Sequence, residues 1–187
     1  MRILESERIL MKPIEEEDIF PLLELRWDKD VMVQSLHEPL SKKDQIEWYK
    51  SLTKKDLVLS IFWKEGDKRI LIGTTGLSNI NLRHQRASWH MRLSLEYEGR
   101  GIGKEAGRML LLYGFNTLNL QKIESDQFYE NIACVKFAKT LGFKEEGVLR
   151  RHFYHDGVFK DTSLVGLLKE EFFEAIAKSP ETFIKNT

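Results

Sequence analysis

The stretch that most constrains the fold runs from Arg86 to Phe115. Ala87 to Leu95 reads as an extended run, Glu98-Gly99-Arg100-Gly101-Ile102-Gly103-Lys104 follows, and Glu105 to Phe115 places apolar residues at helical spacing. The order is strand, glycine-rich loop, helix. Glycines at 99, 101 and 103 allow a tight turn and leave amide N–H groups unshielded by side chains. Such amides at a helix N-terminus, backed by the positive end of the helix dipole, form a site for phosphate oxygens. Arg100 and Lys104 add two mobile cations, so the loop predicts a polyanion such as a pyrophosphate. Dinucleotide folds and kinases also place glycine turns near phosphates, so the rest of the chain has to discriminate.

With 187 residues the chain is long enough for one well-packed domain. No internal repeat, low-complexity tract or linker divides it, and a single domain over 1–187 is expected. Lys+Arg and Asp+Glu both number 29, so no net field draws nucleic acid or an anionic membrane, and an anion site must be local. The first residues, Met1 to Glu7, lack the apolar core of a signal peptide, and the apolar runs are short, so a cytoplasmic location is expected. Cys134 is the sole cysteine, which rules out an internal disulfide.

Before the glycine loop, Ser6 to Lys12 reads as a first strand that stops at Pro13. Glu15 to Asp18 opens a helix whose Ile19, Leu22, Leu23 and Trp27 can share one buried face. Ser41 and Asp44 form a capping-box-like pair ahead of a second helix with Ile46, Trp48, Tyr49 and Leu52, and Val31 to Leu40 is the loop between. Leu57 to Trp63 and Arg69 to Leu77 form a hairpin turning at Gly66, and the polar Ser78 to Arg86 connects to the Ala87 strand. After the loop and its helix, Lys122 to Phe128 is a strand and Asn131 starts a helix over Ile132 to Leu141, closed by Gly142. Phe143 to Tyr154 and Val158 to Leu168 are a last hairpin turning at His155-Asp156-Gly157, and Glu170 to Lys178 is a short helix. The tail after Pro180 is expected to fray.

This succession, with the loop at Glu98 to Lys104, the segment Asn131 to Phe143 ending Leu-Gly-Phe, and Lys144-Glu145-Glu146-Gly147 after it, resembles a GCN5-related N-acetyltransferase. Within that superfamily it is similar to the branch of ribosomal-protein N-terminal alanine and serine acetyltransferases. The resemblance implies an α/β (α+β) GNAT fold, a central mixed, mostly antiparallel twisted sheet of about seven strands flanked by helices. It implies acetyl-CoA as co-substrate, no metal, a primary amine on a small molecule, peptide or protein as the acceptor, and a homodimer, since relatives often pair. Gly101 and Gly103 match the two small positions of the family loop, while Glu98 stands where the family has Gln or Arg and predicts weaker affinity. By resemblance the co-substrate is held by Leu93, Ser94 and Leu95 on the strand, by Arg100, Gly101, Ile102, Gly103 and Lys104 in the loop, and by Asn131 and Phe137 on the following helix. Backbone N–H groups of Arg92 to Leu95, splayed from the Lys122 strand, would face the pantetheine and acetyl group.

Both usual acid–base groups are replaced. Ser88 stands at the family's glutamate base position and Ala138 at its tyrosine acid position. Cys134 takes the place of a serine that the ribosomal-protein branch sets near the leaving sulfur, where a thiol can donate to a thiolate; as a bland alternative it is a small buried helix residue. His90 shares a strand face with Ser88 and Arg92 by alternation, either as a proton relay or as a structural histidine. Trp27, His37, His152, Tyr154 and His155 are candidates for the acceptor edge. A weak base favours an amine of low pKa. An α-amino group near pKa 8 is neutral in roughly one molecule in ten at pH 7, against about one in several thousand for a lysine-like amine. A peptide or protein N-terminus, or an aminosugar, is therefore expected ahead of a polyamine or aminoglycoside. A non-catalytic acyl-CoA-binding module and a nucleotide-binding protein are the competing readings.

Overall fold

The computed structural model describes residues 3–27, 41–155 and 157–178. Eight strands make one sheet: β1 Leu4–Glu5, β2 Ile9–Pro13, β3 Leu57–Glu65, β4 Lys68–Asn81, β5 Arg86–Leu93, β6 Lys122–Phe128, β7 Lys144–His155 and β8 Val158–Leu168. Their order is β1-β2-β3-β4-β5-β6-β8-β7. Only β5 and β6 run parallel; every other neighbouring pair is antiparallel. The mixed, mostly antiparallel sheet is as expected, with one more strand than predicted, because the two-residue β1 is too short to show alternation.

Helices α1 Ile19–Arg26, α2 Lys42–Ser51, α3 Ile102–Asn116, α4 Ile132–Thr140 and α5 Lys169–Ala177 complete the described elements. Pro21 falls in the first turn of α1, where its missing N–H removes no helical bond, and a 3-10 turn at Glu16–Asp18 leads in. The capping box of α2 is present: Asp44 N–H donates to Ser41 Oγ at 3.2 Å, and Ser41 N–H donates to the Asp44 carboxylate at 2.9 Å. The β3–β4 hairpin turns at Gly66, whose φ is 58°. Strand β4 runs on to Asn81, shortening the expected polar connection to four residues, Leu82 to Gln85. The expected loop at 31–40, with His37, and Asp156 in the last hairpin turn lie outside the described residues.

Alternation sorts the strands' side chains onto two faces. On one, Ile72, Leu77, Ala87, Trp89 and Ile123 pack with Ile102, Ala106, Leu110 and Phe115 of α3 and Phe172 of α5. On the other, Ile14, Leu22 and Val58 pack with Trp48 and Tyr49, so α1 and α2 cover that side. Trp27, expected on the buried face of α1, is 41% exposed, and Gln45 of α2 is 2% exposed in a position a simple apolar pattern would not select. The buried Asp18 carboxylate accepts a 2.7 Å hydrogen bond from Ser60 Oγ, which ties the start of α1 to β3.

Candidate active site

Strands β5 and β6 pair at three positions only, Arg86 with Lys122, Ala87 with Ile123 and Ser88 with Glu124. Beyond them the strands part: β5 stays with β4 to Leu93, and β6 stays with β8 to Phe128. The gap opens into a cavity of about 660 Å³ whose walls come from β5, the glycine turn, β6 and α4.

On β5, Ser94 N–H donates to Ile72 O at 2.8 Å. Bonded positions alternate in an antiparallel ladder, so the amides of Arg92 and His90 also face β4, and those of Met91 and Leu93 face the gap. Of the strand amides expected at the co-substrate, Leu93 faces the cavity and Ser94 does not. Leu95 begins a 3-10 turn, Leu95–Tyr97, and lies outside the cavity wall.

Gly99 and Gly101 then take φ of 72° and 77°, left-handed conformations that side chains disfavour. Gly101 caps α3 without a side chain, and the first three amides of the helix, Ile102, Gly103 and Lys104, have no acceptor within it. A Cβ on Gly103 would lie 3.2 Å from Leu93 Cδ1 and 3.3 Å from Phe137 Cζ, so glycine lets the turn close against the cavity wall. Gly101, Gly103 and Lys104 line the cavity. Ile102 is fully buried in the core and can offer only its amide. Arg100 departs from expectation: its guanidinium stands over the Tyr97 ring, 5.1 Å from the centroid, and it is absent from the cavity wall. Holding the turn from outside is Arg8, which sequence reasoning missed. Arg8 Nε donates to Glu105 Oε2 at 2.8 Å, and its NH1 donates to Arg100 O at 3.0 Å.

From α4 come Asn131, Cys134 and Phe137. Asn131 Oδ1 accepts from Cys134 N–H at 3.1 Å, the expected N-cap. Burial pushes the Cys134 thiol up, the Glu98 carboxylate pushes it further, and the Asn131 side chain opposes both. The group is therefore a neutral thiol at pH 7. It can donate an S–H hydrogen bond, and losing the proton outright is uphill.

His90 lies against Gly76 of β4, where a Cβ would stand 2.6 Å from its Nε2. It lines the cavity with Arg92 and with Asp126 of β6, another residue not anticipated. Ser88, on the same strand face, does not join them. It lines a separate cavity of about 540 Å³ with Lys55, Asn79, Arg86 and Glu124, because at Ser88 the two strands are still paired. At the wall, Gln127 Nε2 is a buried donor with no hydrogen-bond partner among the described residues. Unshielded helix amides, one lysine, two strand amides and this unmatched donor suit a long, thin molecule with a phosphate-rich head and an amide-containing arm. Among the described residues no group of three His, Cys, Asp or Glu is arranged to hold a metal ion, and no helix is long and apolar enough to cross a membrane.

The acetyltransferase (GNAT) domain family matches residues 8–144. This chain belongs to the GNAT family. The GNAT chain is accordingly an acetyl-CoA-dependent N-acetyltransferase, with acetyl-CoA as co-substrate. It is 31% identical to the uncharacterized N-acetyltransferase p20 of Bacillus licheniformis, over 92% of this chain and 99% of that one. It is 25% identical to the spermidine N(1)-acetyltransferase of Escherichia coli K12, over 97% of both chains. In fold it matches the crystal structure of a spermidine N-acetyltransferase from Vibrio cholerae in complex with CoA and spermine, with a TM-score of 0.80, 24% identity, and coverage of 88% of this chain and 98% of that one.

Proposed function

We propose that this GNAT enzyme acetylates a primary amine of low pKa in the cleft where β5 leaves β6. The observation that carries the reading is the parting of these strands opposite the glycine turn, with His90 and Cys134 on the walls of one cavity and no carboxylate or phenol at 88 or 138. Acetyl-CoA supplies the thioester whose carbonyl carbon the amine attacks, the C–N bond forming as the C–S bond breaks. The chain's own groups divide the remaining work. Amides of Ile102, Gly103 and Lys104 with the Lys104 ammonium receive phosphate oxygens, and the Met91 and Leu93 amides receive carbonyl groups of the arm. The His90 imidazole receives the amine's proton, and the Cys134 S–H donates a hydrogen bond to the departing sulfur.

An amine near pKa 8 reaches this site already neutral far more often than one near 10.4, an advantage of roughly 3 kcal/mol where the base is weak. A peptide or protein N-terminus, as in the ribosomal-protein branch, fits that requirement. The relatives support a second reading, in which spermidine or spermine is the acceptor. Thiol release measured with acetyl-CoA across Ala- and Ser-initiated peptides, spermidine and aminosugars tests the two. Faster transfer to spermidine than to any peptide overturns the first. Pairing of two copies through the edge strand β7 belongs to the same proposal, and sedimentation velocity measures it.

A further inference from the structure

The cavity of about 540 Å³ lies next to the larger one along the same two strands. Ser88 and Glu124 are the last paired positions of β5 and β6, and both line it. Two residues farther along each strand stand His90 and Asp126, which line the larger cavity. Ala87 and Ile123 are buried in the core with α3, so alternation sets Ser88, His90, Glu124 and Asp126 together on the opposite face of the sheet. A step of two residues along a strand is about 6.6 Å. The two cavities therefore succeed one another on one face, with no residue of either strand between them on that face.

The smaller cavity is closed by the connection between α2 and β3 and by the end of β4. Ile80 N–H donates to Lys55 O at 2.9 Å, which ties the two together. Asn79, at a left-handed φ of 53°, and Asn81 put carboxamide residues in the lining. Arg86 NH1 donates to Glu124 Oε1 at 3.2 Å, so these two charges answer each other. Lys55 has no such counterpart: no carboxylate among the described residues pairs with it. Carboxamides and the Ser88 hydroxyl both donate and accept, which suits a chain of peptide groups. One uncompensated cation beside them attracts an anion and repels the far ammonium of a polyamine.

We propose that the smaller cavity receives the part of the acceptor that follows its amine, and that the acceptor is a peptide N-terminus with an acidic residue among its third to fifth positions. This rests on the acetyltransferase reading of the larger cavity and narrows its substrate class. With the amine at His90, an extended peptide laid along β5 at about 3.3 Å per residue passes Ser88 at its third residue and Arg86 at its fifth. The carboxamides meet its peptide groups, and the Lys55 ammonium draws in the acidic side chain.

Thiol release with saturating acetyl-CoA at low salt tests the proposal on Ser-amide and on three pentapeptide amides, Ser-Ala-Glu-Glu-Glu, Ser-Ala-Gln-Gln-Gln and Ser-Ala-Lys-Lys-Lys. The expected kcat/KM is about tenfold higher for the Gln pentapeptide than for Ser-amide, of the size one or two hydrogen bonds give. The Glu pentapeptide gains about three- to fivefold more, as an exposed charge pair would give, and the Lys pentapeptide falls below the Gln one. Lys55→Glu reverses the order of the Glu and Lys peptides, and Lys55→Gln narrows the difference. Each ratio is taken within one enzyme preparation, so it does not depend on how much of a variant folds. With turnover present, equal rates for Ser-amide and the pentapeptides, or for the Glu and Lys peptides, overturn the proposal and leave the acetyltransferase reading standing. A charge preference that Lys55→Glu leaves unchanged does the same. Absence of thiol release with every peptide, with spermidine and with aminosugars overturns both.

Discussion

Cys134 sits in the first turn of α4, where burial and the Glu98 carboxylate both disfavour a thiolate. Disfavouring the anion raises the pKa, so thiolate appears only at higher pH than for a free cysteine. Alkylation by iodoacetamide is therefore expected to be slower than for a small free thiol at the same pH, and to go on rising with pH after the free thiol's rate has levelled off. Cys134→Ala is expected to lower kcat several-fold, with Ser restoring most of it; unchanged turnover in the Ala variant removes the proposed contact with the leaving sulfur. Gly76→Ala is expected to be more damaging, because its Cβ would stand 2.4 Å from Leu57 O and 2.6 Å from His90 Nε2. The strand has to shift or the imidazole to turn away, with kcat falling at least tenfold while the KM for acetyl-CoA stays, which steady-state kinetics resolve. At this scale the sequence was partly readable. Asn131 as a cap and Cys134 beside it follow from local spacing, but the separation of Ser88 from His90 does not, since two residues on one strand face share a cavity only if the neighbouring strand has already left.

Among the elements, the glycine turn and α3 form the unit that other parts of the chain brace. Arg8, from the turn between β1 and β2, bonds both the Arg100 carbonyl and the Glu105 carboxylate. Its ion pair is partly exposed, so its contribution to global stability is expected to be small, about 1 kcal/mol or less. The effect expected of Arg8→Ala is instead local: a rise of roughly three- to tenfold in the KM for acetyl-CoA with kcat largely kept, since a loop that wanders loses affinity and not chemistry. Gly101→Val is expected to act on the same parameter more strongly, because a β-branched residue at φ of 77° is strained by about 1–2 kcal/mol. Element types and most boundaries were legible from periodicity, turn glycines and caps. Where β4 ends was not, because polar residues past Leu77 are held in the strand by pairing of Ser78 and Asn81 with Ser88 and Arg86.

Across the whole molecule, α3 packs its inner face into the core that joins β4, β5 and β6, while its first turn faces the cleft. Binding at the turn should therefore be felt as global stability. A ligand at a hundred times its dissociation constant adds about 2.7 kcal/mol, which for a chain of this size is a rise of roughly 5–10 °C in Tm. CoA is expected to produce that shift in a thermal melt, and ATP or NAD at equal concentration to produce little; the reverse order would favour the nucleotide-binding reading. From the sequence alone came the kinds of element, their order, the phosphate-type turn, and the family they resemble. These follow from periodicity and from backbone preferences of adjacent residues, which a chain carries whatever its final shape. Tertiary structure alone decided which groups come together: Arg8 with Arg100 and Glu105, Asp126 on the same cavity wall as His90, and Ser88 in a separate cavity. Those placements depend on the point where β6 parts from β5 and stays with β8, a pairing between strands separated in the chain by α4 and β7.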